Sequence, residues 1–268
     1  PNGNGIPAIS HPVLASLRDI LSLKHFDPSA DGRVSGIIDA AARLKSMYPE
    51  LDVRVPVSGP FSIAGNLTGF EILLIESISD PALLTDALNH LVDGQLLFAE
   101  EIHRHGLGIS LFESGASPPL VSPLLFENAI LAPLTRIVSG VGEITAGSVA
   151  LIMGGDTTPI LEPLLETGTT YIICPAETNQ AAFMEKMRGL DDVSVRVNMT
   201  PSIIADGPWD LIHSEVDRIL ALIGSRENTF FGTGPLPYET RPENVLRIRE
   251  YLEQRGTGKN FTKPAQDA

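Results

Sequence analysis

Four side chains that can transfer protons or bind ligands stand where short apolar runs of the sequence end. They are Glu113, Ser114, Asp156 and Glu177. A carboxylate can act as a general base or a metal ligand when burial or a neighbouring charge adjusts its pKa, and a hydroxyl can orient a substrate. We therefore predict these four residues as the catalytic set.

Each of these residues also has a structural interpretation. The Glu113 carboxylate could cap the turn that follows it, and the Ser114 hydroxyl could bond to local backbone. Asp156 could cap the helix that starts near Pro159, while Glu177 could be solvated. The sequence alone leaves both interpretations open for all four residues.

Further residues in the same loops could contact a polar ligand. Gly154 and Gly155 permit close approach of the backbone, and the N–H groups of the helix start that follows them could bind a carboxylate or phosphate. Asn198 offers a neutral amide for hydrogen bonding. Tyr238 could cover the pocket or pack within its loop. We predict these four as substrate-binding residues.

The elements that must position these side chains alternate along the chain. Short runs rich in Val, Ile, Leu and Phe are mostly continuous, which is typical of parallel strands covered on both faces. Amphipathic segments lie between them, and most of these begin at a proline, which suits the first turn of a helix. The predicted strands are 53–58, 107–112, 149–153, 171–174, 193–197 and 229–231, and the predicted helices are 81–105, 123–138, 159–167, 179–188, 208–223 and 242–254.

This alternation indicates a parallel α/β protein, either a closed barrel or an open doubly wound sheet. No Gly-x-Gly-x-x-Gly turn follows the first strand, which disfavours a dinucleotide-binding sheet. In both architectures the active site lies beyond the carboxyl ends of the strands. The loops expected at that end, which we call the mouth, are 59–66, 113–117, 154–158, 175–179, 198–201 and 232–238.

Composition excludes several classes of function. The 268 residues include 33 acidic and 19 basic side chains, and the net charge of -14 disfavours nucleic acid and anionic lipid as partners. The one cysteine, Cys174, excludes an internal disulfide and a multi-cysteine zinc site, and is expected to be a buried apolar side chain. No signal peptide or membrane-spanning run is expected, so we predict a cytoplasmic protein. Residues 1–256 should form one domain and 257–268 a flexible tail.

Several motifs occur in an order that resembles one known family. They are 31–33 (DGR), 59–64 (GPFSIA), 122–126 (SPLLF), 156–161 (DTTPIL) and 240–244 (TRPEN). The chain is similar in these motifs to the uroporphyrinogen decarboxylase superfamily, particularly its cobalamin-dependent methyltransferase branch. The resemblance implies a (β/α)8 TIM barrel that begins here after its first two strands. It also implies that further N-terminal sequence, or a partner chain, covers the open side.

The resemblance adds site residues and exposes departures from the family pattern. It brings Phe61 and Thr157 into the predicted substrate-binding set, because both lie in matching motifs. Methyltransferases of this type bind zinc through a His-x-Cys pair and a later Cys, where this chain has Ile152, Gly154 and Thr233. We therefore expect no such zinc site and predict no metal ligands.

The decarboxylase branch also departs from this chain at key positions. The decarboxylases usually have a His where this chain has Thr233. They also have a Tyr after the motif that corresponds to 59–64, where this chain has Asn66 or a neighbour. We include Thr233 and Asn66 among the substrate-binding predictions. The 112–114 stretch (FES) resembles the Phe-Asp-Ser of the decarboxylases, with a longer carboxylate.

Three functions remain open at this point. The first is transfer of a methyl group between a corrinoid (cobalamin) protein and a small molecule, with no cofactor bound directly other than the methyl-corrinoid of that partner. The second is a carboxy-lyase for a polycarboxylated substrate, which would need arginines at the barrel mouth. The third is a non-catalytic barrel that binds a ligand or acts as a scaffold. A homodimer is compatible with each of these functions.

Overall fold

A six-stranded parallel sheet forms the centre of the computed structural model, which describes residues 11–255. Its strands follow one another in chain order, each paired with the next. The strands are β1 (Arg54–Ser58), β2 (Gly108–Phe112), β3 (Ala150–Ile152), β4 (Tyr171–Cys174), β5 (Ser194–Met199) and β6 (Thr229–Thr233). The predicted parallel α/β architecture is thereby confirmed, and every predicted strand is present.

Helices connect the strands and cover one face of the sheet. Five of them begin with proline in the first turn, and the sequence predicted three of these starts, at Pro81, Pro123 and Pro242. Asp80 caps the longest helix by accepting a hydrogen bond from the N–H of Leu83 at 3.0 Å. The helices are α1 (Leu17–Ile20), α2 (Val34–Met47), α3 (Pro60–Thr68), α4 (Phe70–Ser79), α5 (Pro81–Arg104), α6 (Pro123–Leu125), α7 (Leu131–Thr145), α8 (Leu161–Glu166), α9 (Gln180–Lys186), α10 (Pro201–Asp206), α11 (Trp209–Ile223) and α12 (Pro242–Gln254).

The two faces of the sheet differ in burial, contrary to the prediction that both are covered. In β1, Val55 and Val57 are buried, whereas Arg54, Pro56 and Ser58 are exposed. The buried side chains pack on the helices, and the exposed ones lie on the opposite face. We call this opposite face the inner face, because it corresponds to the inside of a barrel.

The strand order fits the fold that the motif resemblance implies. Consecutive parallel pairing from β1 to β6 is the arrangement of a (β/α) barrel. Within residues 11–255, β1 pairs only with β2 and β6 only with β5. The architecture is thus consistent with a TIM barrel that lacks some of its strands. The predicted tail at 257–268 lies outside the described residues.

Segment 59–66 was predicted as a mouth loop and is instead mostly helix α3. Pro60 supplies a preformed first turn, and the helix buries Phe61 and Ala64 in the core. Helix α4 follows after Gly69, whose positive φ of 82° allows the chain to bend by 114° between the two helices. This extra helical layer places the start of α3 at the carboxyl end of β1.

Among residues 11–255, one helical segment is apolar enough to cross a membrane by length and composition. It covers the 23 residues Pro123–Thr145 and contains an 18-residue window with a mean hydropathy of 1.3, and the bent pair α3–α4 passes the same criterion when joined. This contrasts with the expectation that no such run exists. In the fold, Leu134, Ile137 and Val141 of the segment are buried, and its main neighbour is α5. Near its N-terminal end, Phe126–Ile130 form a π-helical turn.

Candidate functional site

Glu113 directly follows β2, and its side chain caps the start of helix α3, which follows the neighbouring strand β1. Its Oε2 accepts a hydrogen bond from the N–H of Phe61 at 2.8 Å, and its Oε1 accepts one from the N–H of Ser62 at 2.9 Å. The Ser62 hydroxyl also donates to Oε1. These N–H groups are unpaired within the helix itself, so a carboxylate stabilises the helix start. The capping interpretation therefore describes the contacts of Glu113, although the cap serves α3 and not the next turn.

Burial dominates the electrostatics of Glu113. The side chain is fully buried, and burial raises the pKa of its carboxyl from 4.5 to about 7, against the opposing effect of hydrogen bonds from Ser62 and Phe61. A group with this pKa can exchange protons near neutrality. Its carboxylate oxygens, however, point at α3 and are shielded from solvent. The contacts of Glu113 are therefore those of a buried group that holds the start of α3.

Asp156 is held in one orientation by the loop that follows the next strand. The Thr178 hydroxyl donates to Oδ1 of Asp156 at 2.7 Å, and the N–H of Thr158 donates to the same oxygen at 3.2 Å. Thr178 is itself bonded to the Thr158 hydroxyl at 2.5 Å. Within the part of the chain that the structure describes, Oδ2 of Asp156 has no hydrogen-bond partner. Asp156 is therefore a partly exposed, oriented carboxylate with one oxygen available to a ligand.

The loops after β2 and β3 are tied together beside Asp156. The Ser114 hydroxyl accepts a hydrogen bond from the N–H of Gly154 at 3.3 Å. Gly155 has a φ of 79°, and a Cβ there would lie 2.6 Å from the Ser117 hydroxyl and 2.9 Å from the Pro118 carbonyl oxygen. The predicted residues Ser114, Gly154 and Gly155 thus lie together next to Asp156. Their contacts join the loop after β2 to the loop after β3.

Other predicted residues lie away from this cluster or face elsewhere. The Phe61 side chain is fully buried in the core, contrary to the predicted substrate contact, because it packs under α3. Thr157 is also fully buried, and its hydroxyl has no hydrogen-bond partner among residues 11–255. Asn66 and Glu177 are exposed, and the Tyr238 side chain is 100% exposed, so it is not packed within its loop.

Two of the predicted residues have mainly structural contacts. Asn198 is buried at the end of β5, and its carbonyl accepts a hydrogen bond from the Gln180 side chain at 2.8 Å. The Thr233 hydroxyl donates to the carbonyl of Gly234 at 3.1 Å. Cys174 is buried as predicted, and burial raises the pKa of its thiol to about 12, so it is not a thiolate nucleophile at neutral pH.

Sequence reasoning missed Arg196, a cation on the inner face one row below Asn198. Ligand-binding arginines were expected in the mouth loops, whereas Arg196 lies within β5 and pairs with Ile173 and Phe230. The signal was present in the strand, because 194–199 reads SVRVNM and alternates in polarity. Such alternation places Arg196 and Asn198 on the face opposite the buried Val195 and Val197.

Comparison with known proteins places this chain in a family. The family model described as uroporphyrinogen decarboxylase (URO-D) matches residues 1–254. The chain belongs to the uroporphyrinogen decarboxylase family. A solved structure described as a methyltransferase from Methanosarcina mazei superposes with a TM-score of 0.69 at 22% identity, covering 85% of this chain and 67% of that one. At this identity the superposition shows the fold alone.

The curated relatives of the chain include a protein named as a methyltransferase and one named as a decarboxylase. The chain is 24% identical over 218 residues to the methylcobamide:CoM methyltransferase MtaA of Methanosarcina barkeri. This match covers 81% of this chain and 62% of that protein. It is 23% identical over 262 residues to the uroporphyrinogen decarboxylase of Staphylococcus saprophyticus, covering 93% of this chain and 72% of the relative. The chain therefore spans less than two thirds of the methyltransferase and about three quarters of the decarboxylase.

The three residues that we predicted at the zinc positions of the methyltransferase branch do not form a zinc site in this structure. Ile152 is an apolar side chain on β3, Gly154 has no side chain, and the Thr233 hydroxyl is bonded to its own loop. Among residues 11–255, no group of three or more His, Cys, Asp or Glu side chains could hold a metal ion. The residues of this uroporphyrinogen decarboxylase family member therefore support no step that passes through zinc, and the expected lack of metal ligands stays a prediction.

Proposed function

We propose that the protein is a methyltransferase-like enzyme of the uroporphyrinogen decarboxylase family. It moves a methyl group between a corrinoid (cobalamin) protein and a small molecule without a His/Cys zinc site. The observation that carries this proposal is the Asp156 carboxylate, fixed by Thr178 with Oδ2 left available. The sequence similarity to a methylcobamide:CoM methyltransferase supports the choice of reaction.

In this proposal Asp156 does the work that zinc does for a thiol acceptor. A methyl-corrinoid, when bound, supplies an electrophilic methyl group and keeps the electron pair of the broken cobalt–carbon bond. Asp156 takes the proton of the acceptor's O–H, N–H or S–H group, which leaves a lone pair to form the new bond to the methyl carbon. Thr178 and Thr158 keep the carboxylate oriented so that Oδ2 faces the acceptor.

A demethylation assay tests the proposal. Purified protein is incubated with methylcobalamin and a panel of alcohol, amine and thiol acceptors, and loss of the cobalt–carbon chromophore is followed by absorbance. We expect turnover with at least one acceptor, retained after treatment with a zinc chelator and reduced by Asp156→Asn. Asp39→Asn, which removes a charge from the exposed side of α2, is the control. Absence of demethylation with every acceptor would contradict the proposal.

Arg196 favours a second candidate, a carboxy-lyase acting on a polycarboxylated substrate. A guanidinium on the inner face could hold a carboxylate while another is lost as CO2 and replaced by a proton. The test is release of CO2 from uroporphyrinogen or a simpler polycarboxylate. CO2 release that depends on Arg196, in the absence of demethylation activity, would favour this candidate over methyl transfer.

A further inference from the structure

Arg196 is a cation without an acidic partner in the described part of the chain. The nine ion pairs found there involve other arginines, lysines or histidines. Its Nε donates to Oδ1 of Asn198 at 3.1 Å, which is a neutral contact. A partly buried guanidinium that has lost part of its hydration gains most from a carboxylate, which can bind it with two parallel hydrogen bonds.

Packing fixes the Arg196 side chain on the inner face. It lies across Gly232 of the neighbouring strand, where a Cβ would stand 2.5 Å from Cδ and 2.7 Å from Cγ of Arg196. Any other residue at 232 would displace the arginine. The absence of a side chain at Gly232, together with the bond to Asn198, therefore gives the guanidinium a defined position beneath the mouth.

Two aromatic residues that contact each other lie on the strands next to Arg196. The ring centroids of Tyr171 and Phe230 are 5.9 Å apart, and Phe230 is the strand partner of Arg196. Burial raises the pKa of the Tyr171 hydroxyl, and the charge of Arg196, a hydrogen bond from Arg196 and the charge of Arg54 only partly offset this rise. Tyr171 therefore stays protonated at neutral pH and can donate a hydrogen bond. Arg54 is already paired with Asp52 at 2.6 Å.

We propose that Arg196 and Tyr171 form a binding site for the carboxylate of a small aromatic or flat apolar molecule, whose body lies against Phe230. One guanidinium and one phenol match a singly charged carboxylate, whereas a phosphate would call for more positive charge. The net charge of the chain is -14, so a carboxylate would be attracted to Arg196 by a local charge and not by the charge of the whole protein. The site does not depend on the reaction, because the carboxylate could belong to a methyl acceptor or to a substrate that loses CO2.

Calorimetric titration with benzoate and with benzamide tests the site. The two probes have the same shape and differ in charge, so we expect wild-type protein to bind benzoate at least about tenfold more tightly, a difference of about 1.4 kcal/mol. Arg196→Gln should lower benzoate affinity by about tenfold or more and leave benzamide unaffected. Tyr171→Phe should lower benzoate affinity severalfold. Arg249→Gln removes the same charge from an exposed position on α12 and should change nothing.

Several results would overturn this site. They are no saturable benzoate binding to the wild-type protein, equal affinity for the two probes, or an equal loss in Arg196→Gln and Arg249→Gln. Circular dichroism verifies that each variant is folded. If Arg196→Gln does not fold, benzoate binding to Tyr171→Phe and Arg196→Lys is measured instead. Unchanged affinity in both variants would contradict a contact of the carboxylate with the two N–H groups of the guanidinium. The titration measures no methyl transfer, so its failure is separate from failure of the demethylation assay.

Discussion

Gly59 and Glu113 are in such close contact that no side chain other than hydrogen fits between them. A Cβ on Gly59 would lie 2.2 Å from Oε2 and 2.7 Å from Cβ of Glu113. Gly59 has an ordinary extended backbone with a φ of -70°, so it is required for space and not for conformation. This contact joins the ends of β1 and β2 and sets where the carboxylate meets α3.

Gly59→Ala should therefore destabilise the fold through steric conflict. We expect the free energy of unfolding to fall by about 1–3 kcal/mol, because the buried Glu113 side chain cannot move into solvent. Chemical denaturation measures the change. Gly36→Ala is the matched control, since Gly36 lies in helix α2 with open space around it and alanine should stabilise that helix by about 0.5–1 kcal/mol. Equal effects of the two substitutions would contradict the close contact.

Glu113 should make stability depend on pH. Its pKa is raised from 4.5 to about 7 by burial, so the folded state binds more protons than the unfolded state between these values. The contribution of Glu113 to stability is thus full below about pH 4.5, falls as pH rises, and levels off above about pH 7. The total loss is about 3 kcal/mol.

The comparison of wild type with Glu113→Gln isolates this effect, because glutamine does not titrate. The difference in unfolding free energy between the two proteins should decline as pH rises from 4.5 to 7. Glu177→Gln, which removes an exposed carboxylate, controls for the change in net charge. A difference that is constant or that increases with pH would mean that the hydrogen bonds from α3 outweigh burial.

The sequence predicted the strands well because short apolar runs are a local property. Strand 171–174 has its predicted bounds, and the others differ at their ends by one or two residues. Helix α3 was missed because its capping group, Glu113, is 51 residues away from Ser62 and is not a local signal. The proline at its first turn was the local cue that remained.

The candidate site was only partly predictable for the same reason. The position of Asp156 in the loop after β3 could be predicted, but its partner Thr178 follows a different strand, 22 positions later, and no sequence spacing connects them. Arg196 was detectable, since polar residues alternate along β5. It was overlooked because strands were read as continuously apolar, whereas the inner face of this sheet is partly polar.

Gly155→Ala should disturb the mouth more than its backbone conformation alone requires. Both Gly155, at a φ of 79°, and Gly168, at 81°, have left-handed backbones, so alanine costs about 1–2 kcal/mol at either position. Only Gly155 has close neighbours, Ser117 and Pro118, whereas Gly168 has open space. Denaturation should therefore show a larger loss of unfolding free energy for Gly155→Ala than for Gly168→Ala. Equal losses would contradict the packing between the loops after β2 and β3.

Removal of the Thr178 hydroxyl should release Asp156. Thr178→Val keeps the shape of the side chain but loses the 2.7 Å hydrogen bond to Oδ1, so the carboxylate gains freedom to rotate. In the demethylation assay we expect kcat to fall by about tenfold, equivalent to about 1.4 kcal/mol, because the carboxylate spends less time in the orientation that takes the acceptor's proton, while KM for the acceptor changes little. Thr178→Ser retains the hydroxyl and should restore kcat. A Thr178→Val enzyme with unchanged kcat but reduced stability would restrict this hydroxyl to a structural role.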